Sequence, residues 1–173
     1  MIRIVVSMLA VLAGAAIPQL TAGVERARAI GAARYLSSRL ALARSQAVAR
    51  SANVALYLTA DSGTFSIGSY VDGNGNGVRT LEIEGGVDPE VAAAVRFADL
   101  FPRVQLLLDD PFSSGTPATS ALMSFSPIGT ATSRTLYVRA EDGSLYGVRV
   151  LGATGRTRVL RYLATSHGWI EIL

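Results

Sequence analysis

The residues with the most chemical content are Asp72-Gly73-Asn74-Gly75-Asn76-Gly77. Side-chain oxygens at the first, third and fifth places with Gly at the sixth make the front half of a calcium loop, D-x-N-x-N-G. The back half does not follow. The twelfth place, where a bidentate Glu closes such a loop, is Ile83, and Glu82 and Glu84 flank it out of register. The stretch therefore reads as a Gly/Asn turn between strands, and the missing ligand argues against Asp72, Asn74 and Asn76 as a metal site. Three arginines form a second group. Arg156 and Arg158 are two residues apart, so on a strand they project to one face. Arg149 precedes them across Gly152-Ala153-Thr154-Gly155, and Arg161 falls on the other face. Such a cluster can engage phosphates without reading base sequence, or pair with acids of a neighbouring subunit.

The other reactive side chains are few. His167 is the single histidine and there is no cysteine. That removes thiolate metal sites and disulfides, and no Ser-His-Asp pattern is evident. The Gly-rich stretches lack the Lys-Ser/Thr of a phosphate-binding loop. Asp109-Asp110 opens a run of Pro, Ser, Thr and Gly, where solvated charges are the ordinary outcome. No enzyme, no cofactor and no small-molecule substrate is expected.

Charge is segregated along the 173 residues. Residues 1–60 hold seven Arg and one acid, residues 61–133 three Arg and nine acids, and residues 134–173 six Arg and three acids. This layout suits packing between oppositely charged surfaces of copies, or an anionic partner for the basic end.

The elements that must position these groups begin with MIRIVVSMLAVLAGAAI. This apolar stretch runs through Pro18 into an Arg-rich segment, and counting on to Val24 reaches the roughly 20 residues that a bilayer core requires. A cleavable signal peptide, with Arg3 as its basic start and Ala13-Gly14-Ala15-Ala16 near its cleavage site, is the competing reading. Beyond Pro18 the helical period persists. Ala29, Ala33, Leu36, Leu40, Ala43 and Ala47 form one stripe, with Arg34 and Arg44 to one side and Arg39 and Arg50 to the other. One helix over about residues 3–52 is expected, stopping at Asn53. Residues 1–24 form its hydrophobic half and residues 25–52 its amphipathic half.

After Ser51 the period falls to two. Strands are expected at 54–58 and 64–71, joined as a hairpin through Thr59-Ala60-Asp61-Ser62-Gly63, then at 78–84 and 103–108, with 90–97 ambiguous between helix and strand. Residues 109–120 read as an exposed loop. Strands at 122–125, 135–139, 145–151 and 156–162 follow, the last three as a meander, and Ser166-His167-Gly168-Trp169 turns into a final strand. The fold class is α+β: one long helix against an antiparallel sheet or sandwich built from residues 53–173.

This order of features resembles the type IV pilin-like proteins, and within them the GspH/FimT minor pseudopilins. Val5-Val6 and Leu9 through Pro18-Gln19 are similar to the pilin membrane helix. Leu40 through Val48 is similar to the end of that helix. Phe125-Ser126-Pro127-Ile128-Gly129 and Gly155-Arg156-Thr157-Arg158 resemble the family's later turn and final hairpin. The resemblance covers most of the chain.

It implies a pilin-like fold and a structural subunit of a type II secretion system or type IV pilus. Val6, Leu9, Leu12, Gly14, Ile17 and Pro18 would hold the inner membrane and then pack among other pilin helices. The globular part would lie in the periplasm. It also implies an alternative: some competence-pilus members bind DNA through a Gly-Arg-x-Arg segment, here Arg156 and Arg158 with Arg149 nearby. The chain departs from the family at one point. With Pro18 aligned, the acidic residue of the processing motif falls on Met1, so the leader motif is missing from these residues and neither cleavage nor N-methylation can be placed.

Overall fold

The computed structural model describes backbone from Ile2 and side chains from Gly23 onward. The residues assigned to the membrane half, Val6, Leu9, Leu12, Gly14, Ile17 and Pro18, lie outside those described side chains. Among the described residues no helix is long and apolar enough to cross a membrane.

Helix α1 spans Ile2–Arg50. The six stripe residues from Ala29 to Ala47 are all fully buried, and Ala32 joins them. Small residues at most of these positions let the sheets come close, while Leu36 and Leu40 supply the bulk. The helix ends where Ser51 takes a left-handed conformation (φ 52°) and the amide of Ala52 donates back to the Ala47 carbonyl. This terminal geometry closes the last turn just ahead of the expected stop at Asn53.

Nine strands follow, in two antiparallel sheets. The first, in spatial order, is β3 (Glu90–Arg96), β2 (Thr64–Val71), β1 (Val54–Asp61) and β5 (Ser120–Phe125). The second is β4 (Gln105–Leu107), β6 (Arg134–Arg139), β7 (Leu145–Leu151), β8 (Arg156–Leu163) and β9 (Gly168–Glu171). Both sheets pack on α1: β1 and β5 from the first, β6, β7 and β8 from the second. Leu56, Leu58, Met123, Phe125, Leu136, Val138, Val148, Val150 and Val159 close over the helix stripe as one core. The expected α+β arrangement of a helix on antiparallel sheets is therefore the one adopted.

Three expectations are revised. The first hairpin turn is shorter than the run of polar residues suggests. Thr59, Ala60 and Asp61 continue β1, and only Ser62 (φ 48°) and Gly63 (φ 82°) turn, the two positive φ values of a tight hairpin. Residues 78–84 are not a strand, because Thr80–Glu84 forms the short helix α2. The free edge of β2 is already taken by β3, and the Asp88 carboxylate accepts the Arg79 amide at the helix start. The apparent alternation there was not a buried face, since Leu81 is 81% exposed. The ambiguous stretch resolves as both elements in succession: β3, then helix α3 (Phe97–Leu100), which buries Phe97.

Candidate functional site

The basic hairpin is built by β7 and β8. Arg149 lies directly across from Arg158, and Arg156 is paired with Leu151 at the hairpin end. All three guanidinium-bearing residues are exposed, on the face turned away from α1, while Val148, Val150 and Val159 face inward. The strands put Arg156 and Arg158 on one face, as their spacing implies, and the register of β7 against β8 sets Arg149 beside Arg158 on that face. The arginines are not equivalent. Arg158 Nη1 is 2.7 Å from Glu171 Oε2 on β9, and Arg149 Nε donates to Thr135 Oγ1. Among the described residues the Arg156 side chain has no hydrogen-bond or ion-pair partner. Beside them on the same sheet, Trp169 stacks at 5.3 Å from Tyr162 and 5.6 Å from Tyr137, and Phe112 leans on Tyr162 at 4.8 Å.

The intervening residues of Gly155-Arg156-Thr157-Arg158 do a different job. Thr157 points inward, its hydroxyl 3.1 Å from that of Ser37 on α1. Gly155 has φ 59° and no room for a side chain: a Cβ there would lie 2.7 Å from the Gly129 carbonyl oxygen and 3.0 Å from Arg44 Cδ. Three segments distant in sequence thus meet at one end of the domain: Arg44 on α1, the Ser126–Gly129 turn and the start of β8. The turn is closed by the Gly129 amide donating to the Ser126 carbonyl, and it lifts Ile128 into solvent at 86% exposure.

The loop from Asp72 to Asp88 is tightly self-bonded. Asp72 Oδ1 accepts from the amides of Gly75 (2.7 Å) and Asn74, and its Oδ2 from the Gly77 amide (2.7 Å) and the Asn53 side chain. Burial pushes the Asp72 carboxyl up, but these bonds outweigh it and hold its pKa below the ordinary carboxylate value. Asp88 is almost fully buried and accepts from the amides of Gly73 and Arg79, tying the two ends of the loop. Glu82, set aside by its register, is brought to the centre: its Oε1 receives the amide nitrogens of Asn76 (2.8 Å) and Asn74 (3.3 Å). Only the helical turn at 80–84 rotates it there, and reading those residues as a strand hid it.

A family model described as Type II transport protein GspH matches residues 32–155. The chain belongs to the GspH family. No curated protein and no solved structure matches it. The GspH match opens inside α1, takes in strands β1 to β7 and the Ser126–Gly129 turn, and closes on Gly155. Arg156 and Arg158 lie just past it.

At the other end of this GspH domain, where α1 emerges from the sheets, charge replaces apolar packing. Glu25 is buried and lies 3.3 Å from both Arg28 and Arg103, Arg103 reaches Glu141, and Arg26 is 2.7 Å from Asp142. These pairs tie the helix to the 101–103 and 140–144 loops, and the sequence offered no signal of the partners. The remaining candidates are structural. Asp109 accepts the Ala118 amide and Asp110 that of Phe112, so the two carboxylates brace the 109–118 loop. His167 holds a turn residue's left-handed conformation (φ 48°), 3.2 Å from the Tyr162 hydroxyl. Among the described residues no group of three His, Cys, Asp or Glu side chains gathers as a metal cluster.

Proposed function

We propose that this chain is a minor pseudopilin, a structural subunit rather than an enzyme. It is held in the bacterial inner membrane by the first half of α1, carries its GspH domain in the periplasm, and is built into a pseudopilus. The observation that carries this reading is the union of the GspH match with a single unbroken helix, Ile2–Arg50, that runs far beyond the matched residues. Residues 1–24 are almost wholly apolar in sequence, and as a helix rising about 1.5 Å per residue they cover the thickness of a bilayer core.

The described half of α1 supports assembly with other subunits. The side turned from the sheets exposes Val24, Leu42 and Val48 together with the small residues Ala27, Ser38, Ala41, Ser45 and Ala49. Small side chains between apolar ones let a second helix approach closely, and Ala13, Gly14, Ala15 and Ala16 extend the same composition into the membrane half. Partners of this kind are other pseudopilins. The test is fractionation of cells expressing the full chain and a chain lacking residues 1–24. The full chain is expected in the inner-membrane fraction, released by detergent and not by high salt. The shortened chain, directed to the periplasm, is expected to be soluble and folded. A full chain found in the soluble fraction contradicts the reading.

A second reading is favoured by one observation, the exposed Arg149, Arg156 and Arg158 on a single sheet face. In it the protein is a competence-pilus subunit that captures DNA through this hairpin. The Glu171 carboxylate on Arg158 works against it, since it must yield before a phosphate can bind. Gel-shift titration decides: salt-sensitive binding lost in Arg156→Ala/Arg158→Ala supports DNA capture, and no binding at low salt removes it.

A further inference from the structure

We propose that the outer face of the second sheet grips single-stranded DNA in preference to duplex, its aromatic side chains stacking on unpaired bases while the arginines beside them hold phosphates. The proposal rests on the DNA-capture reading and adds to it the form of the ligand.

The aromatic strip is a product of register. Across the sheet Tyr137 pairs with Gly147, Gly147 with Leu160, and Tyr162 with Trp169. Gly147 is what lets the rings meet. The indole of Trp169 is rooted on the edge strand β9 and lies across β7, where a Cβ at Gly147 would be 3.3 Å from its Cζ3. It thereby comes within 5.6 Å of the Tyr137 ring on β6 and 5.3 Å of the Tyr162 ring on β8. Phe112 adds a fourth ring from the 109–118 loop, 4.8 Å from Tyr162, and is 59% exposed. None of these contacts is a parallel stack, since the planes meet at 47°, 51° and 57°. Tyr137, Tyr162 and Trp169 are only half-buried, so the strip keeps ring surface open to solvent.

Cations border the strip on both sides. Thr135, Arg149 and Arg158 form the neighbouring row, two residues along their strands from Tyr137, Gly147 and Leu160, and Arg156 follows on β8. On the other side Arg139 lies two residues beyond Tyr137. Two carboxylates temper this charge: Glu171, held by Arg158, and Asp110, close enough for its field to act on Tyr137. Four arginines against two acids leave the face cationic, the complement of a polyanion.

The rings decide which polyanion. Guanidinium groups alone hold the phosphates of single and double strands alike. An aromatic face reaches a base only where the base is unpaired, because in a duplex its faces are covered by the neighbouring bases. Sheet-borne rings of this kind take about two or three bases, and stacking is indifferent to sequence because every base has a π-face.

The experiment uses the full chain in detergent and a 12-nucleotide DNA of mixed sequence, labelled and read by anisotropy, single-stranded and as its duplex. The fluorescence of Trp169, the single tryptophan of the chain, is followed in the same titrations. The single strand is expected to bind at least about tenfold more tightly than the duplex and to quench Trp169. Trp169→Ala is expected to abolish the preference. Should it fail to fold, because the indole covers Gly147, Phe112→Ala in the exposed loop is expected to weaken single-strand binding about three- to tenfold and to reduce the preference with it. Duplex bound as tightly as single strand, with no quenching, overturns the proposal and leaves DNA capture by the arginines standing. A preference that survives in the aromatic variants also overturns it. Binding of neither form at low salt overturns the proposal and the DNA-capture reading together, and assigns the face to a protein partner.

Discussion

Gly155 lies beneath Arg44, so close that a single added methyl group would sit 3.0 Å from Arg44 Cδ and 2.7 Å from the Gly129 carbonyl. The contact joins the end of the long helix to the turn and the hairpin that follow it. It assigns the two halves of the Gly-Arg-Thr-Arg segment to different tasks. Gly155 and Thr157 lock the hairpin to α1, and Arg156 and Arg158 are carried outward. Gly155→Ala meets both backbone strain at φ 59° and a clash with backbone that cannot swing aside. The expected cost is about 1–3 kcal/mol, read from urea unfolding followed by the fluorescence of Trp169. An unchanged midpoint would mean that the three segments do not meet as described.

The helix stripe predicts larger effects. Leu40 is fully buried in the core that α1 shares with the sheets, and Leu40→Ala leaves a cavity there. A loss of about 2–5 kcal/mol is expected in the same measurement, against less than about 0.5 kcal/mol for Ser38→Ala on the exposed side. Comparable losses at both positions would place the buried face elsewhere.

Acid sensitivity is predicted at the end where α1 leaves the domain. Burial pushes the Asp142 carboxyl up, but bonds from Ser144 and the Arg26 guanidinium outweigh it, so the folded pKa is lowered. The Asp142 contribution is then complete above the unfolded value of about 3.9 and disappears as pH falls through the folded value. Asp142→Asn should flatten the fall of melting temperature below about pH 4 and lower the plateau above it. A pH profile parallel to the native one would remove Asp142 from the clamp.

Much of this was legible in the residues. All six residues of the stripe from Ala29 to Ala47 are buried, because a 3.6-residue period over a long segment leaves no competing register, although the stripe omitted the equally buried Ala32. The strands bounded by Gly and Asp turns followed from a period of two between turn residues. The places that resisted are those fixed by partners far along the chain. At Thr80–Glu84 the helix goes with two distant partners, the Asp88 carboxylate that accepts the Arg79 amide and β3 on the neighbouring edge, and neither is local to residues 78–84. The orientation of Glu82 was lost with that element. The pairing of Arg158 with Glu171 was equally hidden, since it depends on the register of β8 against β9. The shared face of Arg156 and Arg158, by contrast, needed only the alternation of a strand, while Arg149 joins them through the register of β7 against β8.

The central claim, that α1 joins this GspH domain to other pilin-like subunits, is tested most directly by photo-crosslinking in cells. A photoreactive residue at the exposed position of Ala41 sits on the helix side left open by the sheets, and one at Gly115 sits in the 109–118 loop as a control. The account predicts a membrane-fraction adduct from position 41 to the helix of another pilin-like subunit of the same system, lost when that system's assembly platform is deleted. No adduct at position 41, or identical adducts from positions 41 and 115, would contradict it.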